Sequence, residues 1–99
     1  MNLEARVFEH LCELMLRHND WRYGQALFNS LYEFAPTVAD KIRGTDLDTF
    51  YLDDETDETF KNLSTYLREM ETNGKVVQCY FCGRYFFQGS ICEHGNASS

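Results

Sequence analysis

The pattern Cys79-x-x-Cys82, nine residues, then Cys92-x-His94 sets three thiols and an imidazole in two close pairs. Such pairs suit a tetrahedral Zn²⁺, because each grips two corners and the segment between them closes a loop around the ion. Gly83 follows the second Cys directly. A residue without Cβ there lets the backbone turn with φ > 0 and aim amide hydrogens at the sulfurs. The expectation is a structural zinc held by Cys79, Cys82, Cys92 and His94. A closed four-ligand site keeps no position for water or substrate, so it staples a fold and does not catalyse. Iron also occupies four-thiolate knuckles, but three Cys with one His favour zinc. Cys12, His10 and His18 are alternatives for the fourth ligand, with Cys12 expected as a small core residue.

A redox role for Cys79 and Cys82 would call for a thioredoxin-like βαβ unit, which the pattern lacks. Disulfides would call for an oxidising compartment, whereas Met1-Asn2-Leu3-Glu4-Ala5 lacks the basic-then-apolar layout of a secretory leader. The expected setting is cytoplasmic, with reduced thiols. No apolar run approaches the ~20 residues that span a bilayer.

Across 99 residues, 16 acidic side chains face 9 basic ones, a formal net charge of −7. Phosphate neutralisation needs clustered Lys and Arg, so the balance argues against direct nucleic-acid binding. From Asp46 to Glu58 the chain holds Asp46, Asp48, Asp53, Asp54, Glu55, Asp57 and Glu58 without one Lys or Arg. That field would steer a partner with a basic surface. The plainer reading is a solvated loop ahead of an acidic helix start. As a divalent-cation site it lacks the Gly and terminal Glu spacing of an EF-hand.

The elements that would position these groups read as mostly α. Leu3, Val7, Leu11, Leu14, Met15 and His18 recur at helical spacing. A second helix is expected from about Trp21 to Phe34, capped by Asn19 or Asp20, ended by Pro36, and buried over most of its circumference. Gly24 falls within its apolar surface, where close approach of another element would offset the loss of helix propensity. A short helix from Thr37 to about Arg43 ends at Gly44, and a loop pinned by Leu47, Phe50, Tyr51 and Leu52 follows. A further helix starts near Asp57, with Phe60, Leu63, Leu67 and Met70 as its stripe and Asn73-Gly74 as its stop. Val76 to Gln78 and Tyr85 to Phe87 read as short strands flanking the knuckle. The chain is expected to be a small domain of three to four helices over 1–74, a zinc-bound β-hairpin over 75–95 packed on it, and a disordered tail over 96–99. Metal removal should unfold at least Val76 to His94.

Arg22, Gln25 and Asn29 make one polar row on the second helix, suited to hydrogen bonding loop carbonyls or a partner peptide, with a structural clamp on the Thr45 to Asp53 loop the favoured reading. The segment Arg22-Tyr23-Gly24-Gln25-Ala26-Leu27-Phe28-Asn29-Ser30-Leu31, followed by Phe50-Tyr51, resembles an R-x-G-Q-x-x-x-N-x-L helix and FY loop in small, largely uncharacterised bacterial and phage proteins. The resemblance spans roughly residues 20 to 70, implies a prokaryotic or phage setting, and leaves the activity open.

No Ser/His/Asp or Cys/His nucleophile can be assembled, since His10 and His18 sit on a helix without a placed partner; no catalytic residue is expected. Three function classes remain. The first is an interaction protein, phage-encoded, that inhibits or redirects a host nucleic-acid machine such as a CRISPR effector, a nuclease or RNA polymerase. Its partner-facing residues would be Asp53, Asp54, Glu55, Asp57, Glu58, Tyr80, Phe81, Arg84 and Tyr85, the loop and the outer hairpin aromatics sharing one surface. Homodimerisation through the aromatic hairpin is open. The second is a nucleic-acid-binding zinc module using Lys75, Arg84 and the hairpin aromatics. The third is a metal-dependent enzyme using the 46–58 carboxylates.

Overall fold

A computed structural model describes residues 2–52 and 57–89. The element order is α1 (Leu3–Arg17), α2 (Tyr23–Phe34), α3 (Pro36–Ile42), α4 (Glu58–Thr72), β1 (Val76–Gln78) and β2 (Tyr85–Phe87). Over the described residues the protein is thus a small, mostly helical domain with four helices and a two-stranded antiparallel sheet. No helix among the described residues is long and apolar enough to cross a membrane.

Helix α1 starts where the Asn2 side chain accepts the Ala5 N–H at 2.8 Å, the ordinary way to satisfy an orphan amide of the first turn. Its buried stripe is Leu3, Val7, Leu11 and Leu14. Cys12 is exposed, which corrects its expected place in the core: one step along a helix turns ~100°, so the residue after Leu11 leaves the stripe.

Helix α2 meets α1 through small side chains. Ala26 and Ser30 are fully buried, and the Ser30 hydroxyl donates to the Val7 carbonyl at 2.7 Å. A buried hydroxyl needs such a partner, and a main-chain acceptor on α1 fixes the crossing of the two helices. The expected cap at Asn19 or Asp20 gives way to Arg22, where the chain is still extended; Trp21 lies outside the helix and stacks on His18 at 3.8 Å. Pro36 both follows α2 and opens α3. A proline lacks only an N–H that the first helical turn leaves unpaired anyway, so α3 begins one residue ahead of the expected Thr37.

Helix α4 is capped as expected by Asp57, whose carboxylate accepts the Thr59 N–H at 2.9 Å. It stops at Gly74, with φ 74°, and the Lys75 N–H reaches back to the Met70 carbonyl at 2.9 Å. The start of α1 is tied to the end of α4. Leu3 N–H donates to Glu71, and Glu4 accepts from the Ser64 hydroxyl and from Nε and Nη2 of Arg68. The strands pair Val76↔Phe87, Val77↔Phe86 and Gln78↔Tyr85. Val76 and Tyr85, each 1% exposed, join the helical core, so the hairpin shares that core and does not build its own.

Candidate metal knuckle and partner surface

Between the strands the backbone folds tightly around the first cysteine pair. Cys79 N–H donates to the Arg84 carbonyl at 2.7 Å, and Gly83 N–H donates to the Cys79 carbonyl at 3.1 Å. Gly83 has φ 75°, the left-handed geometry that an L side chain resists. The Phe81 N–H donates to the Cys79 sulfur at 3.4 Å, and the Gln78 amide braces the turn on the Gly83 carbonyl. An amide hydrogen on sulfur favours the thiolate, the form in which Cys binds metal. Cys79 is buried and Cys82 exposed.

These bonds shape the turn that carries the first two predicted metal ligands, Cys79 and Cys82. Cys92 and His94 lie outside the described residues, as does the 96–99 tail. Among the described residues, no group of three His, Cys, Asp or Glu could hold an ion. His10 sits between Glu33 at 2.5 Å and Glu13 at 3.3 Å, edge-on to Phe34.

The turn throws two aromatic rings outward. Tyr80 is 101% and Phe81 88% exposed, and Arg84 is also exposed. Tyr85, expected on the partner surface, is a correction: it is a core residue. Strand alternation puts it on the same face as Phe87, against the helices. Burial pushes the Tyr85 phenol above its ordinary pKa, Glu71 adds to this, and Arg6 partly offsets it.

In the acidic stretch, Asp53, Asp54 and Glu55 lie outside the described residues. Glu58 is exposed in the first turn of α4. Two of the other carboxylates hold backbone. Asp57 caps α4, while Asp48 accepts Gly44 N–H at 2.9 Å through Oδ2 and Phe50 N–H at 3.0 Å through Oδ1.

The loop following α3 is fastened at Gly24, where the polar row was expected to clamp it. Gly24 N–H donates to the Leu52 carbonyl at 2.9 Å, and the fully buried Thr49 donates its hydroxyl to the Gly24 carbonyl at 3.0 Å. A Cβ on Gly24 would stand 1.8 Å from the Thr49 carbonyl oxygen, so the close approach expected of this glycine is met by loop backbone. In the row itself, Gln25 accepts the Arg22 N–H at 3.4 Å, Arg22 is exposed, and Asn29 lines a cleft. Thr49 escaped sequence reasoning because a lone Thr in a polar loop carries no periodic signal.

That cleft, about 450 Å³, lies between α2 and the loop and is lined by Phe28, Asn29, Tyr32, Arg43, Asp48, Phe50 and Tyr51. Phe50 packs edge-on against both Phe28 and Tyr51. Tyr51 is 77% exposed. The knuckle touches a different part of α2: a shallower hollow brings Cys82, Gly83 and Arg84 beside Arg6, Glu33 and Phe34. Gly24 and Phe34 are ten residues apart, about 15 Å along a helix, and Phe34 points roughly opposite Tyr32. The loop is thus fastened at the first turn of α2 and its cleft runs along the helix to Tyr32, while the knuckle's hollow includes Glu33 and Phe34; the partner surface expected of Asp53, Asp54 and Glu55 lies outside the described residues.

Comparison of the chain with protein-family models, curated proteins and solved structures returned no match.

Proposed function

We propose that the protein is a small, acidic, zinc-stapled interaction protein, phage-encoded, that binds a basic surface on a host protein or ribonucleoprotein of nucleic-acid processing in the bacterial cytoplasm and inhibits or redirects it. The observation that carries the reading is the knuckle tip, where Tyr80 and Phe81 stand almost wholly in solvent on a turn held by the Cys79–Arg84 and Gly83–Cys79 backbone bonds and by the Phe81 N–H on the Cys79 sulfur. Large aromatic rings on a rigid support lose little entropy on docking and are the residues that most often dominate an interface. The net charge of −7 supplies long-range attraction to a basic partner.

Zinc, held by Cys79, Cys82, Cys92 and His94, supplies the staple when bound. Its role is to fix the turn from which the rings project. A nucleic-acid-binding module would draw on the same Tyr80 and Phe81 with Arg84, and a CRISPR effector, a nuclease or a polymerase would each satisfy the first reading.

The test is affinity capture from bacterial lysate with the native chain beside Tyr80→Ala/Phe81→Ala and Cys79→Ser/Cys82→Ser variants, with metal read by mass spectrometry. The reading expects one zinc per native chain and a nucleic-acid-processing protein that is captured after nuclease treatment and lost with both variants. Capture of nucleic acid alone, or a protein partner indifferent to the two rings, counts against it.

A further inference from the structure

We propose that the cleft between α2 and the 45–52 loop is an arginine-recognition site, which takes the guanidinium of an extended basic segment. The proposal rests on the interaction reading above and specifies the chemistry of its partner.

The walls are aromatic. Phe28 and Phe50 line the cleft together with Tyr32 and the largely exposed Tyr51. One guanidinium is already accommodated by this ring set: Arg43 lies over the Phe28 ring at 5.5 Å from its centroid, while its charge is met by Asp40 at 3.5 Å. Planar guanidinium stacks on aromatic faces more readily than an ammonium does, because it is delocalised and weakly hydrated.

The acceptor for an incoming guanidinium is Asp48. Its two oxygens each take one backbone N–H, from Gly44 and Phe50, which fixes the plane of the carboxylate. Each carboxylate oxygen still has a second acceptor direction. A carboxylate held in this way offers a fork for paired N–H donors at little further entropic cost. Around it, the Asn29 carboxamide and the Tyr32 and Tyr51 phenols make no hydrogen bond to another described residue, and all three residues line the same cleft.

Charge selects the ligand class. Arg43 is paired with Asp40 at 3.5 Å, and the loop beside the cleft carries Asp46 and Asp48 in a chain of net charge −7. A phosphate-bearing nucleotide would stack equally well on the rings and be repelled by this field, whereas a cationic side chain is attracted. Arginine is favoured over lysine because the carboxylate fork and the ring faces both reward a planar donor.

The experiment is an NMR titration of the isotope-labelled full chain with acetyl-Gly-Arg-Gly-amide, its lysine counterpart and adenosine monophosphate. The expected result is saturable shifts at Asn29, Tyr32 and Tyr51, with the arginine peptide bound at least about 3-fold more tightly than the lysine peptide. Tyr51→Ala should weaken binding about 3-fold and Asp48→Asn about 10-fold, the former at a site exposed enough to leave the fold unchanged. No shift, equal response to lysine, stronger response to the nucleotide, or shifts away from the cleft would each overturn the assignment. The two readings separate cleanly. Partner capture through Tyr80 and Phe81 without arginine selectivity overturns the cleft alone, while arginine selectivity without capture upholds the cleft and counts against the wider function.

Discussion

The loop over 45–52 and the hairpin over 76–87 invert the usual association between regular structure and self-sufficiency. The loop has no helix or strand, yet it is locked. Thr49 and Leu52 exchange hydrogen bonds with Gly24, Asp48 ties two loop amides, and Phe50 packs on Phe28. The hairpin has paired strands, but each is only three residues long. Of its side chains, Val76 and Tyr85 are anchored in the core, and the turn beyond them sends its rings into solvent. A loop can be held by backbone bonds to a helix wherever glycine lets it approach; a short hairpin with an exposed tip has less to hold it, and the proposed zinc would supply what is missing.

The largest effect that would sharpen this contrast is metal removal. Chelation should abolish amide-exchange protection from Val76 through Phe87 while leaving the Gly24 and Leu52 amides protected, because structural zinc sites contribute on the order of 10 kcal/mol to the segment they close. Exchange that is unchanged at the hairpin would break the comparison. Next comes Gly24→Ala at the loop end. With a Cβ 1.8 Å from the Thr49 oxygen, loop or helix must move, and urea denaturation should show a loss of about 3 kcal/mol. A loss below about 1 kcal/mol, the ordinary scale of a point change, would mean the loop is not locked there.

A smaller change, Asp57→Ala, removes the α4 cap and should cost about 1 kcal/mol in the same assay. If it also lowers partner affinity and flattens the salt dependence, the carboxylate serves both ends of the proposal. The smallest stability effect is expected from Tyr80→Ala and Phe81→Ala, within about 0.5 kcal/mol, since rings already in solvent lose no burial. A large loss of stability there would place the rings in the fold and not at its surface.

The sequence made the helices legible because their buried stripes repeat with the helical period: Leu3, Val7, Leu11 and Leu14 in α1, and Phe60, Leu63 and Leu67 in α4. The stops were legible for a different reason, as Gly44 and Gly74 each adopt φ > 0, where glycine alone is unstrained. The Cys79-x-x-Cys82-Gly83 turn was readable from spacing, and its strands have the expected bounds. Composition failed for Tyr85 and Cys12. An aromatic between two cysteines and a thiol on an amphipathic helix carry no mark of which way they face; that depended on strand alternation in one case and on the width of the apolar stripe in the other. The loop's attachment was half legible, since Gly24 announced a close approach without naming Thr49 and Leu52 as what approaches.

By itself, the sequence determined the local choices: where helices run, where glycine and proline end or begin them, which thiols are paired by spacing, and the acidic charge, each of which depends on residues close in the chain. Only the tertiary structure decided that the loop is fastened at Gly24, that Asp48 serves the backbone, and that Asn29, Tyr32, Arg43 and Tyr51 line one cleft. Those relations join residues far apart along the chain, and no local preference encodes which distant backbone will fill the space a missing side chain leaves.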